Sequence, residues 1–421
     1  MTTTVPDVRP PRIASIDALR GLVMFLMIFV NDLAGAPRRL VPDWMVHFSD
    51  RHHGGSGMTF VDLVFPGFLF IVGMSIPFAL GPRLARGEAL WKIVWHVLTR
   101  TLALLAIGIL MVNGESSAEE TAGWSPSWWA AGMILSAIFA FCTISPRGAG
   151  AGAVKFWKSF SVCLRAAGLA GMIYVAFVFQ SRSGQPIIAL SPLHIHTSWY
   201  GILGLIGWAY LAASVVYLIF RRSRTALLGC VALMMCFFAA DRHGFFDNFR
   251  PNHYVDFGGT LGSQAAITVA GVLLASMLVA PDMAGLRARL RFTLLFIGGF
   301  AFAALLVNGL YGISKNAATP SWCLWSCAIT AALWLVFYFV TDLWHLTPLS
   351  KPLAVAGQNV LLAYLLSEGQ EAFFDLLHLG GWYDGLSQAS LAHACARSAG
   401  CAVVILAITA LLNRVGFRLK L

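Results

Sequence analysis

Residues 15–35 read SIDALRGLVMFLMIFVNDLAG, and residues 58–80 read MTFVDLVFPGFLFIVGMSIPFAL. Each apolar segment is about as long as the roughly 20 residues a helix needs to cross a bilayer. The polar connection between them holds Trp44, His47, Asp50, His52 and His53, while Asp17, Arg20, Asn31, Asp32 and Asp62 interrupt the apolar runs. Such residues are costly inside a bilayer, so they gather where a cavity or a reaction uses them. A simple membrane anchor would not need them.

Composition extends this reading to the whole chain. Of the 421 residues, 58% are hydrophobic and 11% charged, whereas a soluble domain carries roughly 25% charged residues. The fold class is therefore all-α: a polytopic helical membrane protein with about 12 transmembrane helices. The first apolar run continues into VNDLAGAPRR without a small-residue cleavage site and reads as a retained span rather than a signal peptide. No soluble domain is visible, so residues 1–421 read as a single transmembrane domain with a signature hairpin at 13–80.

The expected spans are 16–34, 60–80, 93–113, 127–145, 161–180, 198–220, 225–240, 261–280, 292–312, 321–340, 352–368 and 395–413. Lys and Arg collect in alternate connections: Arg9 and Arg12; Arg83, Arg86 and Lys92; Arg147, Lys155 and Lys158; Arg221, Arg222 and Arg224; Arg287, Arg289 and Arg291; Lys351; and Arg414, Arg418 and Lys420. That side is the cytoplasm by the positive-inside rule, with both termini inside. The net charge of +10 is topological in origin, which argues against nucleic acid as a partner and leaves the lipid bilayer.

The cysteines Cys142, Cys163, Cys230, Cys236, Cys323, Cys327, Cys395 and Cys401 form no C-x-x-C pair and lie in or beside apolar runs, where they read as packing residues. No metal site is expected; His194 and His196 lack a neighbouring carboxylate and read as surface histidines.

The chemistry candidates lie in the outward connections. A loop histidine titrates near neutrality and suits general-base work toward an amine or hydroxyl, or it can carry an acyl group as a nucleophile. Asp62, between Val61 and Leu63, needs a partner that a histidine or the Asn31 amide can supply. Residues 241–260, DRHGFFDNFRPNHYVDFGGT, offer many polar groups, and Asp256 precedes a Gly-rich approach to a helix N-terminus that can receive a phosphate or carbonyl oxygen. Asp17 and Arg20 share a helix face at the inner mouth of the first span, as an interface ion pair or with Arg20 toward an anionic cytosolic donor. Lys315 and Asn316 cap the outer end of the ninth span. Gln358 and Asn359 lie inside the eleventh, as ligand groups or as helix-to-helix contacts, with Glu368 beyond them.

These residues carry a resemblance. RIASIDALRG (12–21), VMFLMIFVND (23–32) and GMTFVDLVFPGFLFIVGMSIPFAL (57–80) resemble the opening of the transmembrane acyltransferase family that includes heparan-alpha-glucosaminide N-acetyltransferase, and more closely its bacterial DUF5009-type members. Weaker matches follow in order: YGILGLIGWAYL (200–211), the run 256–263, ISKNAATPSWCLWS (313–326) and PLAVAGQNVLLAYLLSE (352–368). The resemblance implies an acyltransferase that takes acetyl from cytosolic acetyl-CoA and delivers it to an amino-sugar or other glycan acceptor on the far side of the membrane. It further implies a bacterial inner-membrane location and a possible homodimer.

The family's essential histidine lies in the loop matched here by the connection after Asn31. Counting back from Asp62 selects His52; anchoring on the Trp-x-x-His-like start of the loop selects His47. The implied catalytic set is His47 or His52 with Asp62 and Asn31, and the implied acetyl-CoA contacts are Arg20, Asp256, Asn316 and Asn359. The family's Trp-Asn-Gly is replaced by Gly55-Ser56-Gly57, which removes an aromatic ring that would stack on a sugar, so heparan sulfate is not carried over as the substrate. A helix pair at 127–180 reads as an insertion. In the implied mechanism Asp62 orients the histidine, the histidine takes the acceptor proton or carries the acetyl, and Asn31 binds the thioester carbonyl. The alternatives are a secondary transporter of a small polar solute and a non-catalytic subunit of an envelope-glycan pathway.

Overall fold

The computed structural model describes residues 13–48, 55–115, 123–146, 150–190, 193–195 and 199–421. Among these residues fourteen helices carry the fold: α1 (Ala14–Leu33), α2 (Val64–Ala85), α3 (Leu90–Gly114), α4 (Pro126–Phe141), α5 (Ala151–Val178), α6 (Gly201–Phe220), α7 (Arg224–Arg242), α8 (Ala265–Val279), α9 (Leu286–Tyr311), α10 (Pro320–Phe337), α11 (Thr347–Ala356), α12 (Val360–Leu376), α13 (Gly380–Gly385) and α14 (Leu391–Arg414). Four three-residue strands form two small ribbons: β1 (Cys142–Ile144) pairs with β4 (Phe417–Leu419), and β2 (Ile188–Leu190) with β3 (Leu193–Ile195). Ten helical stretches among the described residues are long and apolar enough to cross a membrane, and Pro126–Phe141 is a shorter apolar helix. The chain is an integral, all-α membrane protein.

Two expected spans change. The fifth starts at Ala151 rather than 161. The eleventh, 352–368, is not one helix: α11 ends at Ala356 and α12 begins at Val360. The break falls on Gly357, Gln358 and Asn359, where the apolar pattern runs on but a glycine and two amides compete with the helical ladder.

The chain divides into two compact units. One comprises Met1–Leu19, Pro66–Thr99 and Trp208–Lys351. At its centre α8 is buried on every side from Ala265 to Met277, as an all-round apolar helix must be. Gly73 of α2 and Gly271 of α8 let these helices touch: a Cβ on either would collide with the carbonyl of Thr268 or Phe70. Small residues at such crossings take the place of a hydrophobic drive, which lipid does not supply. On α9, Leu294, Leu295, Phe302, Leu305, Leu306 and Leu310 stay exposed, an apolar side suited to lipid.

The other unit comprises Arg20–Phe65, Arg100–Gly207 and Pro352–Leu421. Here α4 packs against both α5 and α12, and Gly168 and Gly171 bring α5 onto Ser136 and Ala140. The helices α1, α12 and α14 group their termini into two sets. One end joins Arg20, the break at 357–359 and the C-terminal strand. There Arg20 Nη1 donates to the Gly357 carbonyl at 3.3 Å, Asn413 Nδ2 to Gln358 Oε1 at 3.1 Å, and the Leu419 amide to Asn359 Oδ1 at 3.2 Å. The other end joins Asn31 and Asp32 to Glu368, Gln370 and Arg397. This is the pairing of ends that alternating spans require.

Candidate functional site

The connection after α1 is built around one carboxylate. Pro42 opens a short turn, Asp43–Met45, and the Trp44 ring meets Phe60 at 5.7 Å between centroids. Val41, Met45 and Val46 join Leu33, Ala36 and Ala394 in an apolar cluster, which fixes the loop against the end of α1 and the start of α14. The chain then returns to a turn, Val61–Leu63, that leads into α2. Thr59 precedes that turn, and the Thr59 amide donates to Asp62 Oδ2 at 3.0 Å. This is the backward half of a capping box, and the helix N-terminus favours the anion.

Asp62 is 1% exposed yet well supplied with donors. Its Oδ2 also accepts the Phe48 amide at 3.1 Å, and its Oδ1 lies 2.7 Å from His47 Nδ1. An ionised carboxylate only accepts, so His47 donates from Nδ1 and keeps its basic lone pair on Nε2. The Thr59 hydroxyl holds the Val46 carbonyl at 2.7 Å, which fixes the residue before His47. Gly57 lies where a Cβ would strike the Phe48 ring. The arrangement is a buried carboxylate, an oriented imidazole and a partly exposed ring, with 34% of the His47 side chain accessible. That is the geometry of a general base or an acyl carrier. His52, the alternative histidine, lies outside the described residues, as do Asp50, His53 and His196.

Asn31 takes a different partner. Its Nδ2 donates to Glu368 Oε1 at 3.3 Å, and both residues line a cavity of about 590 Å³. Asp32, Glu371, Asp375, Asp384 and Arg397 line it as well. The floor is a dense network. Arg397, its side chain 2% exposed, donates from Nε to Asp32 Oδ2 at 3.1 Å and from Nη2 to the Asp32 carbonyl at 2.7 Å. Ser398 Oγ and Tyr383 OH each donate to Asp32 at 2.6 Å. The guanidinium also stacks 4.8 Å above the Tyr383 ring. Burial, and then Asp32 as acceptor, push the Tyr383 phenol well above its usual range. Burial likewise raises the Glu115 carboxyl beyond the end of α3.

Arg397, Tyr383, Ser398 and Gln370 were not picked out from the sequence, where Asp32 was noticed without a partner. A usable signal was Arg397, a lone charge inside the apolar run 395–413. The other expected residues stand elsewhere. Arg20 and Asn359 meet the helix break at the opposite end of their unit. Asp256 belongs to the other unit, where its Oδ1 accepts the Gly259 amide at 2.8 Å and its carbonyl accepts the amides of Thr260 and Leu261. The amides expected to receive a phosphate are thus used within the turn. Asn316, also in that unit, is exposed on a turn before α10. Among the described residues no three His, Cys, Asp or Glu side chains group as metal ligands.

The family described as a domain of unknown function, DUF5009, matches residues 12–122. The match covers 111 of the 421 residues. Arg20, Asn31, Asp32, His47 and Asp62 all fall within it. The chain is also 36% identical over 104 residues to the heparan-alpha-glucosaminide N-acetyltransferase of Homo sapiens, covering 25% of this chain and 14% of that protein. The Mus musculus enzyme of the same name is 34% identical over 102 residues, 24% of this chain and 14% of its own length. The chain thus aligns with 14% of the length of each relative. The resemblance read from the first hairpin is borne out over that region, which holds the His47–Asp62 pair and, in Asn31 and Asp32, part of the cavity lining.

Proposed function

We propose that the chain is a membrane-embedded acyltransferase that moves an acetyl group from acetyl-CoA to an amine or hydroxyl of a glycan. The donor is taken from the cytoplasmic side and the acceptor from the opposite side of a bacterial inner membrane. The observation that carries this reading is the His47–Asp62 pair at 2.7 Å, on the loop that follows α1, the helix whose Asn31 lines a polar cavity. Acetyl-CoA is a large polyanion that does not cross a bilayer, so a transfer of this kind needs polar groups at both ends of a bundle. Arg20 supplies one at the inner end, and Asn31, His47 and Asp62 supply the outer set.

The chemistry follows from the geometry. Asp62 holds the His47 tautomer and stabilises the imidazolium. His47 Nε2 removes a proton from the acceptor as it attacks the thioester carbonyl, or takes the acetyl first and passes it on. The lining carboxylates suit an acceptor that arrives as an ammonium. A homodimer, as a further expectation, is tested by the mass of the purified protein in detergent. The test of function is direct: purified protein, labelled acetyl-CoA and a panel of amino sugars, read by mass spectrometry. Transfer that disappears in His47→Ala supports the reading, and transfer unaffected by it contradicts it.

The break between α11 and α12 favours a second reading, since secondary transporters bind solutes at broken helices. Its amides are already held by Asn413 and Leu419, which argues for a structural role. Acetyl-CoA binding separates the two readings, because a transporter of a small solute has no use for it.

A further inference from the structure

The geometry points to Glu368 as a second acid–base residue of this site, one that takes the first proton from an ammonium acceptor before His47 takes the second. This inference rests on the acyltransferase reading above. Its starting point is Asn31. A carboxylate offers no donor, so the bond to Glu368 fixes the amide with Nδ2 toward Oε1 and leaves Asn31 Oδ1 as an acceptor. Two acceptors from different helices therefore stand together at the wall of a cavity. A negative carboxylate behind Asn31 disfavours an oxyanion and favours a cation at that place.

The proton count gives Glu368 its task. An alkyl ammonium has no lone pair, so it must lose one proton before it attacks. Glu368 accepts that proton. The free amine then forms the N–C bond at the carbonyl of the acyl thioester. The zwitterionic tetrahedral adduct gives its second N–H proton to His47 Nε2 as the C–S bond breaks. The leaving thiolate takes that proton from His47, and the first proton returns to water from Glu368. The products are an amide, a thiol and one released proton, with no redox change. Water can take the first proton before binding; a second base in the cavity lets the bound ammonium form itself react.

The groups around Glu368 come from every element packed there. Tyr364, one turn earlier on α12, is hydrogen-bonded to it, and Glu115 beyond α3 acts on it electrostatically. Glu371 and Asp375 of α12, Asp32 of α1, Tyr383 and Asp384 of α13 and Arg397 of α14 line the same cavity. Arg397 is committed to Asp32, Asp32 also accepts from Tyr383, and Asp375 accepts from Ser127 at 3.1 Å. Glu368 is the carboxylate paired with the Asn31 amide.

The experiment compares two acceptors with Glu368→Gln in the full-length protein, using acetyl-CoA as donor. Glucosamine is largely an ammonium near neutral pH, whereas a p-aminophenyl glycoside presents an arylamine that is already unprotonated. The variant should lose kcat/KM on glucosamine in step with the missing free amine, about tenfold for each pH unit below the amine's pKa, with the loss shrinking as pH rises toward that pKa. Arylamine acetylation should stay within about threefold of wild type, since no first proton has to be removed. Glu368→Asp keeps a carboxylate and carries the same comparison should the Gln variant fail to fold; its loss should again fall on glucosamine. Equal losses on both acceptors at every pH, or no loss on glucosamine, overturn the assignment. A wild-type protein that acetylates neither acceptor overturns instead the acyltransferase reading on which it rests.

Discussion

Replacing Asp62 with Asn should spare the fold and disable the histidine, because the amide can satisfy only part of what the carboxylate satisfies. Asp62 accepts from the Phe48 and Thr59 amides on Oδ2 and from His47 Nδ1 on Oδ1. If the new NH₂ took the Oδ2 place, two buried backbone N–H groups would lose their acceptor, at about 1–3 kcal/mol each. If it takes the Oδ1 place, both amides stay paired and only His47 changes. Its Nδ1 must then accept rather than donate, which moves the ring proton to Nε2 and removes the basic lone pair from the reacting side. The second orientation costs less, so stability should fall by only about 1–2 kcal/mol. The turnover should fall by roughly 10³–10⁴, the scale seen when the same tautomer error is made in an acyl-transfer triad, or about 4–5.5 kcal/mol of barrier. The assay is acetyl transfer in detergent for His47→Ala, Asp62→Asn and the pair, with melting temperatures alongside. Residues that work as a unit are non-additive, so the double variant should be no slower than His47→Ala alone. Asp62→Asn with turnover near wild type, or losses that multiply in the double variant, would refute the reasoning.

Other perturbations probe the support around the site. Arg397→Met leaves Asp32 buried without its cation and should cost about 3–5 kcal/mol, read as a lower melting temperature with weaker acceptor binding. Tyr383→Phe removes one donor from Asp32 and should cost about 1–2 kcal/mol. A phenol raised in the folded state contributes fully below its unfolded value of about 10 and loses that contribution only above it, so the difference should be flat from pH 6 to 9 in thermal melts. Gly73→Ala drives a methyl into the Thr268 carbonyl and should cost about 1–3 kcal/mol through overpacking, with no change in acceptor preference among the molecules that remain folded.

The sequence carries the helices and the dyad for a local reason. Apolar runs of fixed length announce spans, and Asp62 in such a run announces a missing partner. His47 stood as one of two candidates, and the loop packing through Val41, Met45 and Val46 places it on Asp62. The break at Gly357–Asn359 was hidden because its flanks are as apolar as a continuous span. The cavity was hidden for another reason: Asp32, Tyr383 and Arg397 are far apart in sequence, and each alone reads as an ordinary end of a span. Asp256 and Asn359 looked like ligand groups by residue type, yet backbone amides use them, Asp256 within its own turn and Asn359 at the C-terminal strand. Local composition cannot distinguish a polar group aimed at a ligand from one spent on the fold.

The central claim is transfer of an acetyl group across a bilayer through His47. Proteoliposomes with acetyl-CoA on the side of the Lys/Arg-rich connections and glucosamine on the other test it in one measurement. Acetylated sugar should accumulate on the glucosamine side with wild-type protein and not with His47→Ala. Product appearing equally with both proteins, or with neither, would contradict the account.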